Sequence, residues 1–185
     1  MKINKALKTL ITFNGLYLFG SLLFGPLYAV YVQKIGGGVT LISVSVAAFY
    51  ISTTLFLVFV GKFGDRVKEK ENLLAASYLI RTFGFLAYLV INNALFLILV
   101  QLIHGLAEAL GTPTFSALFA KHLDGDSEVL EYSDWALVAS LIMAIGSLIG
   151  GYFVNLFGFS ALFIVVAAIC FVSFLGIYLQ PRRLL

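Results

Sequence analysis

The chain has 185 residues, 61% of them hydrophobic and only 11% charged, with a mean hydropathy of +1.03 and a formal net charge of +3. Soluble domains run at roughly 45–50% apolar and about 25% charged residues, and a domain this small keeps a large wet surface, so a soluble fold is excluded and lipid is the natural solvent. The lone cysteine, Cys170, excludes a disulfide framework and a cysteine-based metal cluster.

Charge-free windows divide the chain into segments long enough to cross a bilayer, which needs about 20 apolar residues. Span 1 is expected near 9–32, behind Lys2, Lys5 and Lys8. Its uncharged run from Thr9 to Gln33 is longer than a signal-peptide core and shows no small-x-small cleavage site, so it reads as a retained span. Span 2 follows near 39–60, span 3 near 72–91 and span 4 near 95–118, the last two separated by Asn92-Asn93. From Trp135 to Pro181 there are 47 residues without a formal charge, too many for one crossing. Gly158, in "NLFGFS", is the expected hairpin, giving span 5 near 135–156 and span 6 near 160–180. The fold class is therefore an all-α membrane protein with six transmembrane helices in a single bundle over 1–185. The runs lack the period-two alternation of a membrane β-barrel.

The basic residues orient this bundle. Lys2, Lys5, Lys8, Lys62, Arg66, Lys68, Lys70, Lys121, Arg182 and Arg183 fall on one side, and only Lys34 on the other. By the positive-inside rule both termini are cytoplasmic. This dispersal at segment ends also argues against nucleic acid as a partner. The lipid bilayer is the expected partner, in a bacterial plasma (inner) membrane.

Seven of the twenty-one formal charges crowd into eleven residues, 61–71, in and just after "GKFGDRVKEK" between spans 2 and 3. Gly61 can adopt the left-handed conformation that ends span 2, and Gly64 permits a tight reversal. This loop resembles that of the major facilitator superfamily of transporters, whose Gly-x-x-x-Asp-Arg pattern is matched by Gly61, Asp65 and Arg66. In span 4, "QLIHGLAEALGTP" is similar to the family's Arg-x-x-x-Gly pattern with a later Pro, with Gln101 at the Arg position. In span 5, "GSLIGG" stands where some members carry Gly-Pro-x-x-Gly, with Ser147 at the Pro.

The resemblance covers the whole chain but one six-helix half of a usual transporter. It implies a major-facilitator-like half bundle, N-in and C-in, that moves a small solute by alternating access. It implies a homodimer or a separately encoded second half, and a cytoplasmic latch at Gly61, Gly64, Asp65 and Arg66, with Asp65 at a helix N-terminus of the other bundle. Arg66 is placed to pair with the acidic stretch Asp124, Asp126, Glu128, Glu131 and Asp134. The bland alternative is a solvated loop whose exposed pairs are worth about 0–1 kcal/mol.

Ionisable groups inside spans are functional candidates by default, and there are three: Arg81, His104 and Glu108. Gln101, His104 and Glu108 share one face of span 4 by i, i+3, i+7 spacing. Asn14, Tyr17, Ser21 and Tyr28 form a matching stripe on span 1. The resemblance implies that these two spans line the solute and proton pathway, although polar faces also hold helices together. At about 1.5 Å of rise per residue, Arg81 and Glu108 reach one depth, where they form a structural pair. Glu108, the only carboxylate in any span, is the candidate proton carrier, with His104 tuning it.

Gly146, Ser147, Gly150 and Gly151 are interlocked small residues for close helix packing, serving either the bundle or a second subunit. No catalytic residues, metal or cofactor are expected. His104 and Glu108 lack the third ligand of a catalytic zinc, and "DGDSE" lacks the Gly and Glu of a calcium loop. A non-transporting scaffold, or an orphaned or truncated transporter half, is the competing class, with an intramembrane enzyme behind it.

Overall fold

A computed structural model describes residues 5–123 and 128–180, apart from the Asp65 side chain. Lys2, Asp124, Asp126, Arg182 and Arg183 therefore lie outside the described residues. The regular elements are helices: α1 (Lys5–Phe24), α2 (Tyr28–Lys34), α3 (Val39–Phe63), α4 (Lys70–Ala87), α5 (Ala94–Lys121) and α6 (Glu128–Tyr178). A 3-10 turn at Gly25–Leu27 joins α1 to α2, where Pro26 lacks the N–H that an unbroken helix would use. Counting α1 and α2 as one rod, five helical stretches are long and apolar enough to cross a membrane.

α6 is 51 residues long, roughly 77 Å at 1.5 Å per residue, against a hydrocarbon core of about 30 Å. It does not run straight. Gly158 has φ 78° and ψ 174°, a conformation open to a residue without Cβ. Contacts with α1 show what happens there. Along the first arm, 128–157, Ile142 meets Gly15, Gly146 meets Phe19 and Gly150 meets Leu23, so this arm runs parallel to α1. Along the second arm, 159–178, Ile169 meets Gly20 and Gly176 meets Phe13, so the order is reversed. The chain turns back on itself at Gly158, and α1 lies against both arms.

The other helices alternate in direction, which gathers the charged loop and the helix ends near Lys5, Lys121 and Tyr178 at one end. Two apolar clusters stack along the bundle. The cluster at the charged end joins Leu7 and Leu10 to Leu74, Tyr78, Leu118, Phe119 and Ile177. The far cluster is built around Phe24, whose ring meets those of Tyr28, Tyr31, Phe85, Tyr88, Phe159 and Phe163 edge-on at 5.0–6.4 Å. Such T-shaped contacts suit the aromatic quadrupole. Asn93 caps α5 beyond it, its Oδ1 accepting from the Phe96 N–H at 2.9 Å.

α3 stands at the side of the bundle, with only Ser45, Ala48 and Ser52 buried. It is fastened to α5 by small residues. The Ser52 hydroxyl donates to the Leu102 carbonyl at 2.7 Å and the Thr53 hydroxyl to that of Gly105 at 3.2 Å.

The structure corrects the expectation for Gly61. α3 continues through it to Phe63, Gly64 is right-handed at φ −60° and ψ −37°, and a 3-10 turn spans Gly64–Arg66. The chain leaves this turn through extended Val67, at φ −77° and ψ 116°. The backbone can therefore escape the helix without a left-handed residue. Among the described residues, positive φ occurs only at Gly36 and Gly158.

Candidate functional site: an ion pair between two chambers

Between the two apolar clusters lies a polar layer built by α1, α4 and α5. Arg81, only 5% exposed, donates from Nη2 to Glu108 Oε2 at 2.7 Å. One turn further along α5, the Thr112 hydroxyl donates to Glu108 Oε1. The guanidinium carbon lies 4.5 Å from the centroid of the Tyr17 ring, a cation–π contact from α1. Tyr17 in turn lies 5.3 Å from the ring of Tyr78, whose hydroxyl donates to Asn14 Oδ1 at 2.8 Å. Hydrogen bonds and ring contacts thus link Asn14 to Thr112 across three helices.

This layer separates two chambers. The one toward Gly158 measures about 340 Å³ and is lined by Ser21, Tyr28, Phe49, Tyr50, Phe85, Tyr88, Gln101 and His104. The one toward the charged end measures about 410 Å³ and is lined by Asn14, Ser77, Tyr78, Thr112, Ser116 and Trp135. Tyr17, Arg81 and Glu108 belong to the walls of both. A carboxylate offers about four acceptor positions, so Glu108 keeps acceptor capacity beyond Arg81 and Thr112. Its side chain is 29% exposed.

The stripes expected on spans 1 and 4 are thereby placed. Tyr17 and Glu108 both belong to the dividing layer, Asn14 stands on the charged-end side, and Ser21, Gln101 and His104 on the other. No hydrogen bond or ion pair joins His104 to Glu108 among the described residues. Its ring sits 4.9 Å from Phe85 and 5.6 Å from Tyr88, with Nε2 turned against Gly84 and without a hydrogen-bond partner among the described residues.

Thr112 and Tyr78 were missed at the sequence level. Each had a signal in its spacing, Thr112 one turn beyond Glu108 and Tyr78 one turn before Arg81. At the charged loop, Arg66 lies over the Phe63 ring, its guanidinium carbon 5.4 Å from the centroid.

The small residues of α6 divide. Gly146 and Gly150 face α1, where a Cβ on Gly150 would overlap the Leu23 carbonyl, whereas a Cβ on Gly151 would meet nothing within 4 Å. The Ser147 hydroxyl is turned back on the Met143 carbonyl at 2.8 Å. Among the described residues no three His, Cys, Asp or Glu side chains group as metal ligands, and Cys170 is free and buried.

Several lipid-length apolar helices around a central ion pair define an integral membrane protein with a polar site between its helices. Residues 10–184 match the Major Facilitator Superfamily. That match spans almost the whole chain, which belongs to this superfamily, a family of membrane transporters rather than enzymes. Comparison with curated proteins gives no match.

Proposed function

We propose that the chain is one wall of a secondary transporter that carries a small solute by alternating access, working with a second six-helix bundle, either another copy or a separate half. The observation that carries this reading is the partly exposed Glu108 carboxylate, set between the two chambers. Charge at that depth is costly in lipid. A facing bundle would enclose it, as in transporters whose site lies between two halves that rock around it.

In this reading the two arms of α6 cross separately, giving six crossings with both termini in the cytoplasm of a bacterial cell. Glu108 exchanges its bond to Arg81 for a proton during the cycle, which couples solute movement to proton movement. Gly61, Gly64, Asp65 and Arg66 close the cytoplasmic side against the partner bundle.

The test is a subunit count by native mass spectrometry from lipid nanodiscs, followed by solute flux in proteoliposomes. A stable dimer with pH-dependent flux that Glu108→Gln abolishes, at unchanged folded yield, supports the proposal. A strict monomer without flux, and with no co-purifying membrane partner, overturns it.

A further inference from the structure

We infer that the chamber toward Gly158 selects an organic cation with an apolar body, an inference that rests on the proposed transport role of this site. Charge carries the first step. Among the described residues the only formal charges on its walls are Arg81 and Glu108, and they are not equally exposed. The guanidinium is covered on one face by Tyr17 and bonded to Glu108 through Nη2, with 5% of the residue exposed. The Glu108 side chain is 29% exposed. Of the two charges the carboxylate is the more exposed, and it keeps acceptor positions free. An anion would find the guanidinium with Nη2 already bonded to Glu108, Nε buried and one face covered by Tyr17.

The walls point the same way. Tyr17 and Tyr28 enter from one side, Phe49 and Tyr50 from α3, and Phe85 and Tyr88 from the end of α4. The negative faces of aromatic rings attract cations, and ring-lined cages are a recurring site for quaternary ammonium groups. Phe49 and Tyr50 lie 5.0 Å apart, and the Tyr28 hydroxyl is bonded to that of Ser45. At about 340 Å³ the chamber falls in the range of roughly 300–1,000 Å³ used by small-molecule sites. It suits a compact molecule, not a polymer.

The test uses two ions of one shape and opposite charge, tetraphenylphosphonium and tetraphenylborate. Binding is measured by equilibrium dialysis against the full chain in nanodiscs, with empty nanodiscs subtracted. The expected result is saturable binding of tetraphenylphosphonium at least tenfold tighter than that of tetraphenylborate. Glu108→Gln should weaken the cation at least tenfold. Tyr50→Leu, at a residue 63% exposed and so tolerant of change, should weaken it about threefold. Borate bound as tightly as phosphonium, or phosphonium binding untouched by both substitutions, overturns the inference. If the Glu108→Gln protein does not fold, Tyr50→Leu and the ion comparison still decide. Flux separates the two proposals. Phosphonium that binds but is never carried keeps the ligand class and overturns the transport role. Carriage of another solute without phosphonium binding does the reverse.

Discussion

Gly84 and His104 share one volume: a Cβ on the glycine would stand 2.7 Å from His104 Nε2. The ring packs against Phe85 and Tyr88, so moving it away from a new Cβ disturbs those contacts. Alanine favours a helix by up to about 1 kcal/mol over glycine, while overpacking costs about 1–3 kcal/mol. Gly84→Ala is expected to destabilise the protein by about 1 kcal/mol, read from denaturant unfolding in mixed micelles. An unchanged or raised midpoint would show that the ring yields.

The Arg81–Glu108 pair should reveal itself in a double-mutant cycle. Removing one partner of a buried pair costs about 3–5 kcal/mol, while replacing both by apolar residues of similar size is often neutral or better. Partial exposure of Glu108 moves the single-substitution costs to the lower end. Arg81→Met with Glu108→Met together should be more stable than either change alone. Additivity within about 0.5 kcal/mol would mean that the two charges do not depend on each other.

Gly150 and Gly151 are neighbours with opposite surroundings. Gly150→Ala must push α6 away from the Leu23 carbonyl and should cost about 1–3 kcal/mol. Gly151→Ala meets open space and should be neutral or stabilising by up to about 1 kcal/mol. Equal effects on unfolding would remove the assignment of only one small pair to the α1 contact.

Tyr78→Phe deletes the hydrogen bond to Asn14 while keeping the ring against Tyr17. Interhelical hydrogen bonds within a bilayer average about 0.6 kcal/mol, with a maximum near 1.7, and a loss in that range is expected. In an Asn14→Ala background the same change should cost almost nothing, and a full cost there would place the partner elsewhere.

Orientation can be read with a membrane-impermeant maleimide on intact cells, using a Cys170→Ala background that removes the only native thiol. Asn92→Cys, in the connection between α4 and α5, should label from outside. Lys68→Cys, in the charged loop, should label only after the membrane is opened. The reverse pattern would invert the assigned topology.

Much of the architecture was legible because charge is so scarce. Gaps between charged residues bracket the helices to within a few positions, from 39–60 against Val39–Phe63 to 95–118 against Ala94–Lys121. Gly158 could be located because 47 uncharged residues exceed one crossing and need a reversal. Depth along two helices brought Arg81 and Glu108 to one level. Contacts between elements remote in sequence were not legible. Spacing along α1 shows Asn14 on a polar stripe but not that Tyr78 meets it, and spacing along α6 cannot tell which small pair meets α1. The Gly61 expectation failed because glycine permits left-handed backbone without requiring it, and α3 had sequence enough to continue.

The contact between Lys34 and Phe159 carries a consequence for how the molecule rides in its bilayer. Lys34 Nζ lies 5.4 Å from the Phe159 ring centroid, so the reversal at Gly158, which has no charge nearby in sequence, borrows a cation from the end of α2. It is the only formal charge among the described residues at that end. The opposite end is studded with lysine and arginine, each resisting immersion. The two ends are moored unequally. When bilayer thickness changes, the charged end should hold its level while the Gly158 end sinks or rises, so that mismatch is absorbed at one face of the membrane.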